Sequence, residues 1–331
     1  MEVANAFLRL LNTLLISLVL SADLAFGIVE HINCSGTDLQ KVNNALHEAV
    51  SVAQDVSKKL NTFDASQPYA DLIGDPRHAI YSSILRPQDK YVLQGYLNSI
   101  ATIRTSNEFK VRIYCSPDHV IKHESPADHN EYWWDKDFYH NEDGHQVVMS
   151  LRAGNLPSPT QGTFTSLGRI SGVKSDATGQ AHMFIDANTI ARDTNPNVDG
   201  RMLTNIRNNG LREDVDFNSL DYIRPLTRSV LHELFHIVGG LVNPKSNVAS
   251  VIDVRGPKGR NLGTFRECVS QKNRNPPAVK LAECLNTVTI GLFLQIQNRN
   301  TYWTFGIVNR VTLRPDGVSY IPTSRKRLVV N

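Results

Sequence analysis

The first apolar block of the chain is continuous rather than periodic. After Arg9, the run from Leu10 to Leu20 is interrupted only by Asn12, Thr13 and Ser17. That is shorter than the about 20 residues a spanning helix needs, and small residues follow it. The pattern predicts a cleaved secretory leader over 1–27, with Ala22 as the other cleavage position. Beyond it the spacing turns helical. In "GTDLQKVNNALHEAVSVAQDVSKKL", Leu39, Val42, Leu46, Val50, Ala53 and Leu60 fall on one face. Thr37 and Gln40 make a capping-box pattern, and His47 faces solvent. The turn-rich "QPYADLIGDPRHAIYSSILRP" precedes a second amphipathic helix over "DKYVLQGYLNSIATI", carried by Leu93, Leu97 and Ile100. Alternation in "FKVRIYC" then predicts a strand ending at Cys115.

From 116 to 146 periodicity disappears. "SPDHVIKHESPADHNEYWWDKDFYHNEDGHQ" reads as a polar surface excursion, or as a wall over a cleft. "HQVVMSLRAG" and "AHMFIDANTIA" read as strands, with a Pro/Ser/Gly-rich loop between them. The second is expected at a sheet edge, where an extended peptide could add to it. A long polar stretch leads to an apolar helix at 224–240. After it come a loop, a helix over "PAVKLAECLNTVTIGLFLQIQ", and an extended tail over 298–331.

Composition narrows the class. A chain of 331 residues, 41% hydrophobic, can bury a substantial core. Its 35 basic and 32 acidic residues leave a net charge of +3, too small a surplus to imply a nucleic-acid partner. The four cysteines, Cys34, Cys115, Cys268 and Cys284, show no CxxC spacing. In an exported chain they predict two disulfides. Of three pairings, Cys34–Cys115 and Cys268–Cys284 is favoured, because each pair lies on one side of the 224–240 helix. Asn33 heads an "NCS" sequon whose use a bridged Cys34 would disfavour.

The chemistry concentrates in "RPLTRSVLHELFHIVGG". Pro225 suits a helix start and Gly239–Gly240 a helix end. Leu231, Leu234, Phe235 and Val238 supply the buried face. His232 and His236, four apart, leave the same side and can share one metal ion. Glu233 projects beside them and can take a proton from a water held there. A catalytic zinc needs a third protein ligand. No histidine follows His236, and position 242 is Val242, so the HExxHxxGxxH pattern is excluded. The third ligand is therefore a downstream carboxylate, from Asp253, Glu267, Glu283 or Asp316. Asp253, just past the helix, ranks first, ahead of Glu267 beside Cys268 and Glu283 on the next long helix. Thr287 breaks the ExxxD/N pattern at Glu283. Tyr222, Tyr302 and Arg224 are candidates to support an oxyanion.

The order of landmarks resembles the fungal aspzincin group, the deuterolysin-type and lysine-specific metallo-endopeptidases. It comprises "CSGTDLQKVNNALHEAV", "VRIYC", "LTRSVLHELFHIV", an aspartate soon afterwards, and "AECLNTVTIGLFLQ". The likeness covers about two-thirds of the mature chain, and its specificity rests mainly on the HExxH helix. It implies an α+β, zincin-like metalloprotease fold with N-terminal helices, a small mixed sheet and an HExxH active-site helix. It also implies one Zn²⁺ on His232, His236 and an aspartate, with Glu233 as general base in peptide hydrolysis. The chain departs from the group at "IDVRGPKGRNLGTFREC", which replaces the GTxDYxYG signature, so Asp253 is matched by order. It departs again at Val288 and Ile290, where the group carries an acid and a tyrosine. The resulting expectation is a secreted, monomeric zinc endopeptidase, its catalytic domain over 28–297, with a peptide substrate and no nucleic-acid or stable membrane partner. The alternative is an inactive zincin-fold binding or effector protein.

Overall fold

The computed structural model describes residues 29–62, 77–105, 110–115, 120–124, 131–135, 140–142, 145–147, 151–152, 164–167, 180–185, 187–194, 202–209, 220–240, 251–254, 256, 262–295, 301–304, 307–313 and 320–322. The expected leader and Asp316 lie outside them. The architecture is α+β. Strand β1 (Val29–Ile32) leads into the long helix α1 (Gly36–Asn61), then α2 (Arg77–Ile84), α3 (Lys90–Thr102) and strand β2 (Lys110–Tyr114). Short strands follow: β3 (Val120–Glu124), β4 (Glu131–Asp135), β5 (His140–Glu142), β6 (His145–Val147), β7 (Leu151–Arg152), β8 (Phe164–Leu167) and β9 (Gln180–Phe184). Helices α4 (Ala187–Asp193), α5 (Leu203–Asn209), α6 (Leu226–Gly240), α7 (Phe265–Gln271) and α8 (Ala282–Gln295) come next, before β10 (Thr301–Thr304), β11 (Ile307–Leu313) and β12 (Tyr320–Pro322).

The main sheet runs β1-β2-β9-β8. β1, β2 and β9 are parallel, with Val29 opposite Val111 and Lys110 opposite Gln180. Parallel neighbours cannot be joined by a tight turn, and here α1 to α3 make the first crossover. β8 is antiparallel to β9, with Phe164 opposite Phe184. The stretch "AHMFID" is therefore not the sheet edge. Its residues 181–184 belong to β9, which has hydrogen-bonded neighbours on both sides, and the edge position falls to β8.

α1 buries Val42, Leu46, Ala49, Val52, Ala53, Val56 and Leu60, and α3 packs on it through Leu93, Leu97 and Ile100. The expected cap at Thr37 and Gln40 is not formed. The helix begins two residues earlier, after Ser35, whose side chain makes no capping bond. Inside the stretch read as turns, α2 forms because Ile80, Tyr81, Ile84 and Leu85 recur at helical spacing and are buried. Between 116 and 147 the described residues form β3 to β6. "AHMFIDANTIA" is a strand followed by a helix, and the polar stretch before α6 contains α5. The described residues of the tail form a three-stranded antiparallel sheet, β10-β11-β12, whose β10 lies beside α2.

Both expected disulfides are present. Cys34–Cys115 ties the ends of β1 and β2, and Cys268–Cys284 ties α7 to α8. Among the described residues, no helix is long and apolar enough to cross a membrane.

Candidate metal centre

α6 is apolar almost all round, and the fold surrounds it accordingly. Val230, Leu231, Leu234, Phe235 and Ile237 are fully buried, and the helix packs against α1, α3, α8 and β8. Pro225 stands just outside the first turn, where its carbonyl accepts from Arg228 N at 2.8 Å. The two histidines are only half-buried. They form the open side of an otherwise enclosed helix.

Their Nε2 atoms stand 3.2 Å apart, and Asp253 Oδ1 is 3.4 Å from each. Three atoms bound to one tetrahedral zinc at about 2.0–2.1 Å would be separated by about 3.3 Å. The other face of each ring is held. His232 Nδ1 is 3.0 Å from Glu283 Oε2, and His236 Nδ1 is 3.0 Å from the Val251 carbonyl. A carboxylate and a carbonyl can only accept, so both Nδ1 atoms carry hydrogen. The neutral rings therefore turn bare Nε2 lone pairs toward one another and toward Asp253. Such an arrangement demands a positive centre between them, either a proton or a metal ion.

Asp253 reaches the site because its segment is stitched onto the start of α8. Ile252 N donates to the Lys280 carbonyl at 2.9 Å, and Ala282 N donates to the Ile252 carbonyl at 3.3 Å. On the other side Leu262 N donates to the Val254 carbonyl at 2.7 Å. The segment lies tight against α6 at Gly239, where an added Cβ would sit 2.6 Å from Val251 Cβ. Gly239 therefore permits close approach; it is not merely the helix stop expected of it.

The remaining carboxylates have separate tasks. Glu233 is buried beside His232, and its charge acts on that ring. Glu267, a third-ligand alternative, instead caps α7. Its Oε2 accepts from Gly263 N, Thr264 N and Thr264 Oγ1 at 2.9–3.0 Å, while Thr264 Oγ1 receives Glu267 N. Glu283, the other alternative, sits behind His232 rather than beside the bare nitrogens, and its second oxygen accepts from Arg228. Arg224 donates to the Asp221 carbonyl at 2.8 Å. The side chains of Tyr222 and Tyr302 lie outside the described residues.

Charge follows this geometry. Burial alone would lower the His232 pKa, but hydrogen bonds to Asp253 and Glu283 and the Glu233 charge hold it well above 6.5. Burial would raise Asp253, yet the two imidazoles hold it far below the usual carboxylate range. Glu283 is likewise opposed by burial, but the Arg228 charge and His232 bring it down to about 2. In the metal-free chain a proton on His232 thus occupies the position a cation would take.

Sequence reasoning missed the Val251 carbonyl, Arg228 and the place of Glu283 behind the His232 ring. Only the Glu267 cap had a local signature, Thr-x-x-Glu. Comparison with known protein families, with curated proteins and with solved structures returns no match.

Proposed function

We propose that the chain is a secreted zinc-dependent endopeptidase of zincin-like fold, with His232, His236 and Asp253 as metal ligands and Glu233 as general base. One observation carries this reading: Nε2, Nε2 and Oδ1 converge within 3.2–3.4 Å while both Nδ1 hydrogens are engaged elsewhere. The donor set of two imidazoles and one carboxylate suits zinc with an open fourth position. When bound, zinc supplies Lewis acidity that brings a water's pKa toward about 7 and polarises the scissile carbonyl. Glu233, next to a ligand yet not one itself, takes the proton released by the attacking water. It then returns that proton to the amine as the peptide bond breaks. An extended substrate adding to β8 would run beside α6. Two disulfides and the apolar leader are in keeping with export.

A second reading, a metal-holding scaffold without hydrolytic activity, is favoured by α8. Val288 and Ile290, where aspzincins carry an acid and a tyrosine, are fully buried and offer no polar group to a reacting carbonyl. A peptide-library digest separates the two readings. Chelator-sensitive cleavage that Glu233→Gln abolishes while zinc stays bound supports the peptidase. Bound zinc with no cleavage supports the scaffold.

A further inference from the structure

Glu283 lies in the first turn of α8 and serves two donors at once. Its Oε2 is 3.0 Å from His232 Nδ1, and its Oε1 accepts from Arg228 Nη2. Arg228 is itself buried and is held through its other terminal nitrogen, which donates to the carbonyls of Leu220 and, at 3.0 Å, Ile223. A continuous chain of hydrogen bonds thus runs from the backbone before α6, through Arg228 and Glu283, to the ring that faces the metal centre. His236 has a different arrangement, because its orienting partner is a main-chain carbonyl. Of the two histidines, His232 is the one whose orienting partner is a side chain.

We propose that Glu283 is the positioning residue of the metal centre. It fixes His232 in the Nδ1–H form, aims the bare Nε2 at the cation, and is kept in register by Arg228. The inference rests on the metal-centre reading above. Its physical basis is a count of donors and acceptors. Arg228 and the His232 ring both donate, so the residue between them must accept twice, and a carboxylate has two oxygens for this. An amide has one. In Glu283→Gln the oxygen goes to one donor and the NH2 faces the other. If the NH2 faces the imidazole, the ring reverses its tautomer, Nε2 takes up the hydrogen, and ligation through it is lost. An aspartate would fall short by one methylene.

A purely structural Arg228–Glu283 ion pair makes a different prediction. The substitution Arg228→Met added to Glu283→Gln frees the amide oxygen to accept from His232. It also removes the guanidinium donor from the Leu220 and Ile223 carbonyls. Positioning therefore predicts that zinc affinity recovers in the double variant while thermal stability does not. A structural role predicts that both decline together.

The test uses the full chain, with zinc affinity read by competition against a chromophoric chelator and melting followed by circular dichroism. Glu283→Gln is expected to weaken zinc by about 10–100-fold, with the double variant recovering at least part of the loss. Wild-type zinc binding that Glu283→Gln leaves intact overturns the proposal alone; a wild-type chain that binds no zinc overturns the metal-centre reading with it. Should the variants fail to fold, the zinc-loaded wild type still decides. Long-range proton–nitrogen NMR must show His232 Nδ1 bearing hydrogen, and a metal-bound Nδ1 overturns the proposal.

Discussion

Gly239→Ala is the substitution whose outcome follows most directly from the packing. At a helical position open to solvent, alanine for glycine stabilises by about 0.5–1 kcal/mol. At Gly239 the added Cβ would lie 2.6 Å from Val251 Cβ, 3.1 Å from Val251 N, and closer still to Val251 Cγ2. Ordinary carbon contacts are about 3.5–4.0 Å, so the 251–254 segment must withdraw by about 1 Å. Overpacking of this kind costs about 1–3 kcal/mol, which exceeds the helical gain. The same withdrawal carries off the Val251 carbonyl that holds His236, and Asp253 two residues beyond it. Metal sites tolerate about 0.2 Å of ligand displacement, so zinc affinity should fall by about tenfold or more. The control is Gly95→Ala, at an exposed position on α3 where nothing lies within 4 Å of the new Cβ. Thermal melts of the two variants should move in opposite directions, and chelator competition should register a loss only in Gly239→Ala. Gly239→Ala that melts higher and keeps wild-type zinc affinity, as Gly95→Ala should, would refute the reasoning.

Acid–base behaviour of the metal-free chain follows from the site's charges. Raised His232 contributes stability that is complete below 6.5 and lost as pH rises through its folded value. Lowered Glu283 contributes stability that is present above 4.5 and lost as pH falls toward about 2. The metal-stripped protein should therefore melt highest between 4.5 and 6.5, with zinc raising the melting temperature most at neutral pH, where protons compete least. Replacing Cys268 and Cys284 by serine opens a bridge spanning 16 residues, worth about 3 kcal/mol. Because Cys284 adjoins Glu283, chelator competition should show weaker zinc binding as well. Glu48 is buried in α1 and accepts from Leu203 N at 3.0 Å, from Thr204 N at 2.7 Å and from Thr227 Oγ1. Glu48→Gln should cost about 1–3 kcal/mol in denaturant melts and leave zinc stoichiometry unchanged.

The parts of the site legible in the sequence are those governed by local periodicity. A spacing of four residues puts His232 and His236 on one side of a helix whatever surrounds it, and the apolar pattern of α6 announces a buried element. Asp253 was reachable only by order along the chain, because the stitch from Ile252 to Lys280 and Ala282 is a tertiary contact with no local signature. Glu283 illustrates the same limit: its carboxylate belongs to the site, but only the packing of α8 against α6 puts it behind a ring rather than on an ion. Glu267 was the opposite case. Its Thr-x-x-Glu pattern is a local signature of a cap, independent of the disulfide beside it. Among the secondary elements, α1, α3 and α6 have long amphipathic or apolar patterns. α2, α4 and α5 are short, at 8, 7 and 7 residues, and depend on burial supplied by neighbours.

The central claim is that two imidazoles of one helix and a carboxylate from the returning segment grip a single ion. X-ray absorption at the zinc edge, on full chain loaded to one equivalent and freed of excess metal, reads that shell directly. The account predicts stoichiometric zinc with two imidazole nitrogens and carboxylate oxygen at about 2.0–2.2 Å, and loss of that zinc in His236→Ala. Zinc that dialyses away from the wild-type chain, or a shell without imidazole nitrogen, would contradict it.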